Sequence, residues 1–268
     1  MDWIQSAVLG LVEGITEFLP ISSTGHLILV SRWFGQDSEF TNMFNIVIQF
    51  GAILALPFIF GKRLLSLDQK ISIQQSWNLW SRVLLAIVPA LVLGFIFSDL
   101  IEGFLFHPIP VAFALGLGGL GLIFLDRDQN QTGWDWSGLT YKRALLIGLF
   151  QCLALWPGVS RSAATIIGAL LLGANRKTAA EFSFYLALPV LGLAATYSFL
   201  KFSLRNREAF ILSPHDGLAL LIGFVVSGLV AFIVSKWFLH FISKRNFKPF
   251  GFYRLGLALV VLSLTFLT

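Results

Sequence analysis

Two apolar stretches of this chain, residues 4–34 and 144–172, are each cut near the middle by a proline that leads into hydroxyl side chains. Pro20 precedes Ser22-Ser23-Thr24, and Pro157 precedes Ser160-Arg161-Ser162. Proline removes a backbone donor and clashes with the preceding turn, which kinks or breaks a helix, and here the hydroxyl run that follows marks a break. Each half is then too short to cross a hydrocarbon layer of ~30 Å, which takes about 20 helical residues. Broken helices survive at membrane depth only where protein covers the freed backbone or a polar cavity takes it up.

Six uninterrupted apolar stretches accompany them, residues 44–60, 83–97, 110–125, 182–200, 218–237 and 250–267. The chain is 56% hydrophobic and only 12% charged, with 27 Phe and 8 Trp in 268 residues. A soluble domain carries about 25% charge, so a soluble enzyme is excluded and lipid is the solvent for most of the surface. The runs are continuous rather than alternating, which selects helices over a barrel. The expected fold is an all-α integral membrane protein, one transmembrane domain over 1–268, with six full spans and two re-entrant broken-helix hairpins. Met1-Asp2-Trp3 lacks the basic start of a cleaved signal peptide, so the chain is read as unprocessed. The single cysteine, Cys152, cannot close an internal disulfide and is read as a small buried hydrophobe.

Short interrupted segments at matching places in two halves are the signature of an internal repeat. A gapless shift of 138 residues superimposes Gly10 on Gly148, Glu13 on Gln151, Ser22 on Ser160, Ser23 on Arg161, Thr24 on Ser162, Ile28 on Ile166, Gly35 on Gly173 and Phe44 on Phe182. Repeat one covers about 1–125 and repeat two about 139–268. Three full spans between two hairpins put the hairpins on opposite faces, an inverted repeat.

The charges agree with that layout. With the first hairpin entering from outside, the inner side receives thirteen cations: Lys62, Arg63, Lys70, Arg82, Arg127, Lys142, Arg143, Arg176, Lys177, Lys236, Lys244, Arg245 and Lys248. The outer side receives four, Arg32, Lys201, Arg205 and Arg207, the bias expected of cytoplasmic loops. Arg254, near a span end, is read as snorkelling to the interface, whereas Arg161 lies inside the second hairpin. The basic balance therefore reports orientation and not a nucleic-acid partner.

Glu13 and Glu17 are four residues apart, one turn on the same helix face, where like charges repel. Each acid at membrane depth costs roughly 2.5 to 3.5 kcal/mol on insertion scales, so something positive must offset the pair. A divalent cation suits hard carboxylate oxygens; Mg²⁺ is typically held by one or two carboxylates together with substrate phosphates, and Ca²⁺ is the alternative. After Pro20, Ser22, Ser23 and Thr24 offer donors where a second half-helix begins, an anion-binding arrangement as well as an ordinary cap. His26 follows within a turn, a candidate nucleophile or general acid–base beside two carboxylates and two serines. Arg161 needs an anion: its planar fork suits phosphate oxygens, and an ion pair to Glu13 or Glu17 is the structural alternative. Ser160, Ser162 and Thr165 add neutral donors around it.

The runs Glu-Gly-Ile-Thr-Glu-Phe-Leu-Pro-Ile-Ser-Ser-Thr-Gly-His at 13–26 and Pro-Gly-Val-Ser-Arg-Ser at 157–162 resemble the undecaprenyl-diphosphate phosphatase family of bacteria, also called the bacitracin-resistance protein family. The similarity extends over essentially the whole chain. It implies a multi-pass bacterial inner-membrane enzyme that removes one phosphate from undecaprenyl diphosphate and so regenerates the lipid carrier of cell-wall precursors. It further implies that Glu13 and Glu17 are the acids linked to the metal, that Ser23 and His26 are the reactive pair, and that Arg161, with Ser160 and Thr165, binds the diphosphate. The second motif often continues Ser-Gly after its arginine; here Ser162 is followed by Ala163, which changes loop freedom but removes no functional group.

The expected reaction is hydrolysis of a phosphoanhydride, with His26, Ser23 or a water as nucleophile and the site open to the outer, periplasmic side. The polyprenyl tail lies against the apolar outer faces, whose many Phe side chains would also permit a homodimer. The rival is a secondary transporter or flippase of a phosphorylated lipid, since inverted repeats, broken helices and paired acids are its usual features. An anion carrier needs the arginine and the donors but not a His-Ser pair. A channel is weaker still: outside the two hairpins, only Asn45 and Gln49 notably interrupt the spans.

Overall fold

The computed structural model describes residues 1–34, 39–64, 73–105, 107–126, 132–205 and 213–267. Ten α-helices form among them: α1 (Trp3–Thr16), α2 (Ser23–Trp33), α3 (Glu39–Leu64), α4 (Ile73–Leu105), α5 (Pro108–Leu125), α6 (Tyr141–Gln151), α7 (Arg161–Leu171), α8 (Arg176–Arg205), α9 (Pro214–Ile242) and α10 (Lys248–Leu267). Six of them are long and apolar enough to cross a membrane, namely α3, α4, α5, α8, α9 and α10. Every expected span lies inside one. The helices run past the apolar stretches because polar first turns, such as Gln74-Gln75-Ser76 of α4, keep helical geometry after hydropathy has fallen.

The other four helices are the halves of the two interrupted regions, 14 residues in α1 and 11 in each of α2, α6 and α7. At 1.5 Å per residue the longest reaches only ~21 Å. The helix α1 starts on a capping box, with Asp2 accepting from the amides of Ile4 and Gln5 and Gln5 reaching back to the Asp2 amide. It stops before Pro20. In the second region α6 tightens into a 3₁₀ turn at Cys152–Leu155 before Pro157. Cys152 is half-buried there, rather than buried, with its thiol on the Gly148 carbonyl.

Small residues let these helices approach closely, the usual basis of helix association in lipid. The helix α1 packs along α9 and α6 along α4. Gly10 lies against the Gly223 backbone and Gly148 against the Ala86 backbone, with no room for a Cβ at either place. Likewise α3 packs on α9 and α8 on α4, while α3 faces α8 and α5 faces α10. Exchanging α1 for α6, α3 for α8, α4 for α9 and α5 for α10 therefore reproduces these packings.

The apolar core is aromatic. Phe18, from the first break, is fully buried and meets Phe184 of α8 at 5.1 Å between ring centroids, and Phe184 also contacts Phe60 and Phe238. This anchors the first break against the spans. Large apolar side chains also point outward, with Phe58 and Phe95 both 80% exposed, as a lipid-facing surface requires. Of the cations that set the expected orientation, Lys70, Arg127 and Arg207 lie outside the described residues, as does Gly35 of the repeat.

Candidate active site

The first break carries the chain from Glu17, just past the end of α1, to Ser23, the first residue of α2. This return brings the two side chains together: Ser23 Oγ donates a 2.7 Å hydrogen bond to Glu17 Oε2. Ser22 starts α2 from a left-handed backbone, φ 72°, and its hydroxyl accepts from the Gly25 amide. The second break ends the same way, with Ser160 at φ 70° and its hydroxyl accepting from the Ala163 amide. Arg161 thus occupies the first turn of α7, as Ser23 occupies that of α2.

The two breaks meet. Arg161 Nη2 lies 3.4 Å from Glu17 Oε1, and both side chains are nearly fully buried, 8% and 4% exposed. Glu17 therefore joins a serine from one break to an arginine from the other. Arg161 Nη1 also donates to the Ser183 carbonyl of α8 at 2.8 Å. A chain of hydroxyls closes the junction: Ser160 Oγ is 3.0 Å from Ser162 Oγ, which donates to the Leu19 carbonyl at 2.8 Å. Thr165 Oγ1 sits 2.9 Å from the Arg161 carbonyl and 2.8 Å from Ser183 Oγ. Ser162 and Thr165 thus hold the two breaks and α8 in register, and Thr24 lies half-buried in the first turn of α2.

Glu13, one turn before Glu17, is 1% exposed, and both of its carboxylate oxygens are buried without a hydrogen-bond partner. Its charged neighbours are Glu17 and Arg161. A carboxylate in that setting is incomplete without a cation or a proton. No group of three or more His, Cys, Asp or Glu side chains converges among the described residues; a cation beside Glu13 would draw on the carboxylates of Glu13 and Glu17. That donor set fits Mg²⁺, which leaves its remaining positions to water and phosphate oxygens.

His26 does not bond Ser23 in this structure. Its Nδ1 lies 2.7 Å from the Ser22 carbonyl and its Nε2 lies 2.6 Å from the Tyr253 hydroxyl of α10. Tyr253 was not legible as a site residue: it sits in an ordinary apolar span, far along the chain from either motif. The same holds for its neighbour Arg254. Expected to snorkel, Arg254 is instead 0% exposed and donates to four main-chain carbonyls, those of Ala114, Leu115, Pro20 and Gly158. The reason is its direction. Arg254 faces α5, where Gly118 leaves space that a Cβ would fill, and its fork reaches a carbonyl in each break.

Residues 6–260 match the model of the family described as Bacitracin resistance protein BacA. Among similar proteins are an undecaprenyl-diphosphatase of Sulfurihydrogenibium sp., 45% identical over 97% of this chain and 98% of the relative, and undecaprenyl-diphosphatase 1 of Clostridioides difficile, 43% identical over 100% and 97%. An undecaprenyl-diphosphatase of Aquifex aeolicus is 43% identical over 97% of this chain and 96% of its own length. With the match running through both breaks and all six long helices, this chain belongs to the bacitracin resistance protein BacA family.

Proposed function

We propose that this multi-pass membrane protein is a phosphatase that hydrolyses undecaprenyl diphosphate to undecaprenyl phosphate and inorganic phosphate, recycling the lipid carrier of cell-wall precursors. The observation that carries the site assignment is Glu17 bridging Ser23 and Arg161 across the two breaks. Phosphoanhydride cleavage depends mostly on positioning and on neutralising phosphoryl oxygens. Arg161, released from Glu17 by the incoming anion, grips the terminal phosphoryl group through its fork. The N-termini of α2 and α7 add backbone donors and positive potential.

Ser23 Oγ passes its proton to Glu17 as its oxygen bonds to the terminal phosphorus, and the bond from that phosphorus to the bridging oxygen breaks. Undecaprenyl phosphate leaves. A water then attacks the phosphoserine, His26 takes a proton from that water, and phosphate is released as Ser23 recovers its proton from Glu17. Glu13 with Glu17 would hold Mg²⁺, or Ca²⁺, and such a cation screens the diphosphate charge while bound. The prenyl tail lies along the lipid-facing helices.

The two interrupted regions are read as re-entrant hairpins of an inverted repeat. Matching left-handed serines at 22 and 160 and matching glycine contacts at 10 and 148 support this. We read the protein as residing in the inner membrane, and the bias of cations supports an orientation with the site open to the periplasmic side. The test is phosphate release from undecaprenyl diphosphate by detergent-purified protein, with and without EDTA. Release that stops with EDTA supports both enzyme and cation. No release from folded protein overturns the enzyme reading, and flux of a phosphorylated lipid in liposomes then tests the carrier.

A further inference from the structure

The hydrogen bonds of His26 fix which of its atoms can act. A carbonyl oxygen only accepts, so at 2.7 Å from the Ser22 carbonyl Nδ1 carries the hydrogen. In the neutral ring Nε2 then holds the lone pair. That lone pair is not open to a reacting oxygen: the Tyr253 hydroxyl occupies it at 2.6 Å, with the two ring planes within 5° of each other. Tyr253 itself is 48% exposed, so its ring is not sealed inside the helix bundle.

Tyr253 is held in place by the residue that follows it. The four carbonyl bonds of Arg254 fasten α10 to α5 and to both breaks. Gly119 and Gly251 let α5 and α10 approach, each lying against the other's carbonyl oxygen. The hydroxyl therefore has a fixed position relative to α2, unlike a surface tyrosine that meets a histidine by chance.

We propose that Tyr253 is the proton carrier between His26 and the reacting water. As the water oxygen bonds to phosphorus, its O–H bond breaks and the proton goes to the Tyr253 oxygen. The hydrogen of Tyr253 passes to Nε2 in the same step, so the tyrosine ends neutral and His26 ends as imidazolium. This rests on the assignment of His26 as the acid–base group.

The experiment compares full-length wild type, Tyr253→Phe and His26→Gln in phosphate release, with ¹⁵N NMR of histidine-labelled protein. Tyr253→Phe keeps the ring and loses the carrier, so kcat is expected to fall roughly 10²-fold, the usual reach of general acid–base catalysis, with KM within about twofold because substrate contacts are untouched. In wild type the His26 signal is expected to show protonated Nδ1 and unprotonated, hydrogen-bonded Nε2; in Tyr253→Phe the Nε2 signal loses its hydrogen-bond shift. An unchanged kcat in Tyr253→Phe beside an inactive His26→Gln overturns the relay alone. A fully active His26→Gln overturns the assignment of His26 beneath it. If Tyr253→Phe does not fold, the wild-type spectrum still decides: a His26 protonated at Nε2 rules the relay out.

Discussion

Ser22 and Ser160, aligned by the 138-residue shift, share one backbone conformation: φ is 72° at the first and 70° at the second, and a helix restarts from each. Each hydroxyl accepts at 3.3 Å from the amide three residues on, Gly25 in one case and Ala163 in the other. A non-glycine residue in that region costs on the order of 1–3 kcal/mol and persists only where its surroundings hold it.

That conformation separates two substitutions. Glycine at 160 relieves the left-handed strain and costs only a few tenths of a kcal/mol as a cap. Alanine keeps the strain and loses the cap, about 1 kcal/mol. Denaturation in detergent is expected to leave Ser160→Gly near the wild-type midpoint and to place Ser160→Ala below it; the reverse order contradicts the role given to the serine.

In the proposed mechanism Glu17 is the proton acceptor of Ser23 and one of two acids that would hold a cation, and Glu17→Gln removes both roles. Turnover is expected to fall by roughly 10²-fold or more, and the residual rate no longer to respond to Mg²⁺. The check is kcat titrated against Mg²⁺ concentration, where retained activity with an unchanged metal response removes the acid pair from the mechanism.

Arg254 acts on the architecture. Truncation to alanine takes the Arg254 donor from the Pro20 and Gly158 carbonyls of the two breaks, each worth about 1–3 kcal/mol when left unpaired, whereas the α5 carbonyls keep their helical amides. Arg254→Ala is expected to lose most of its folded yield on size-exclusion chromatography. Lysine retains the charge but, as a compact ammonium, cannot span the same carbonyls, so Arg254→Lys should also run below wild type. Wild-type yield and stability in both variants would mean that the breaks hold themselves.

A second buried junction lies away from the site. Asp126, 0% exposed, accepts from Arg176 Nε at 2.7 Å and from the Phe247 amide, joining the end of α5 to α8 and to the start of α10. Breaking a buried pair from one side costs about 3–5 kcal/mol. Asp126→Asn is expected to lower the denaturation midpoint while the activity of the folded fraction, measured per folded molecule, stays near wild type.

Much of this was legible in the sequence because lipid imposes simple rules. The six spans follow from run length, and the breaks from Pro20 and Pro157 each leading into hydroxyl side chains; a missing donor alone does not end a helix here, since Pro57, Pro89 and Pro189 lie inside α3, α4 and α8. Glu17 and Arg161 stand out by their cost, since buried charge at membrane depth demands a partner, whereas Ser23 is one donor among three and takes its role only from the resemblance of the motif. Tyr253 and Arg254 were not legible, for two physical reasons. A tyrosine in an apolar span has a sufficient explanation in its ring, and nothing local marks its hydroxyl as a partner of His26. Arg254 satisfies its charge with carbonyl oxygens alone, which carry no sequence signature, and its direction is set by the absence of a side chain at Gly118 on another helix. The pairing of Ser23 with Glu17 instead of His26 likewise depends on how the first break folds back, which spacing does not determine.

If the two breaks form one catalytic unit through Glu17, a double-mutant cycle on purified protein shows it. The measurement is kcat/KM of Glu17→Gln, Arg161→Ala and the double variant. Residues that act as a unit are grossly non-additive, so the double variant is expected to be no more than about threefold worse than the poorer single one. Losses that simply multiply would show that the two residues work independently and that Glu17 does not join the two breaks in catalysis.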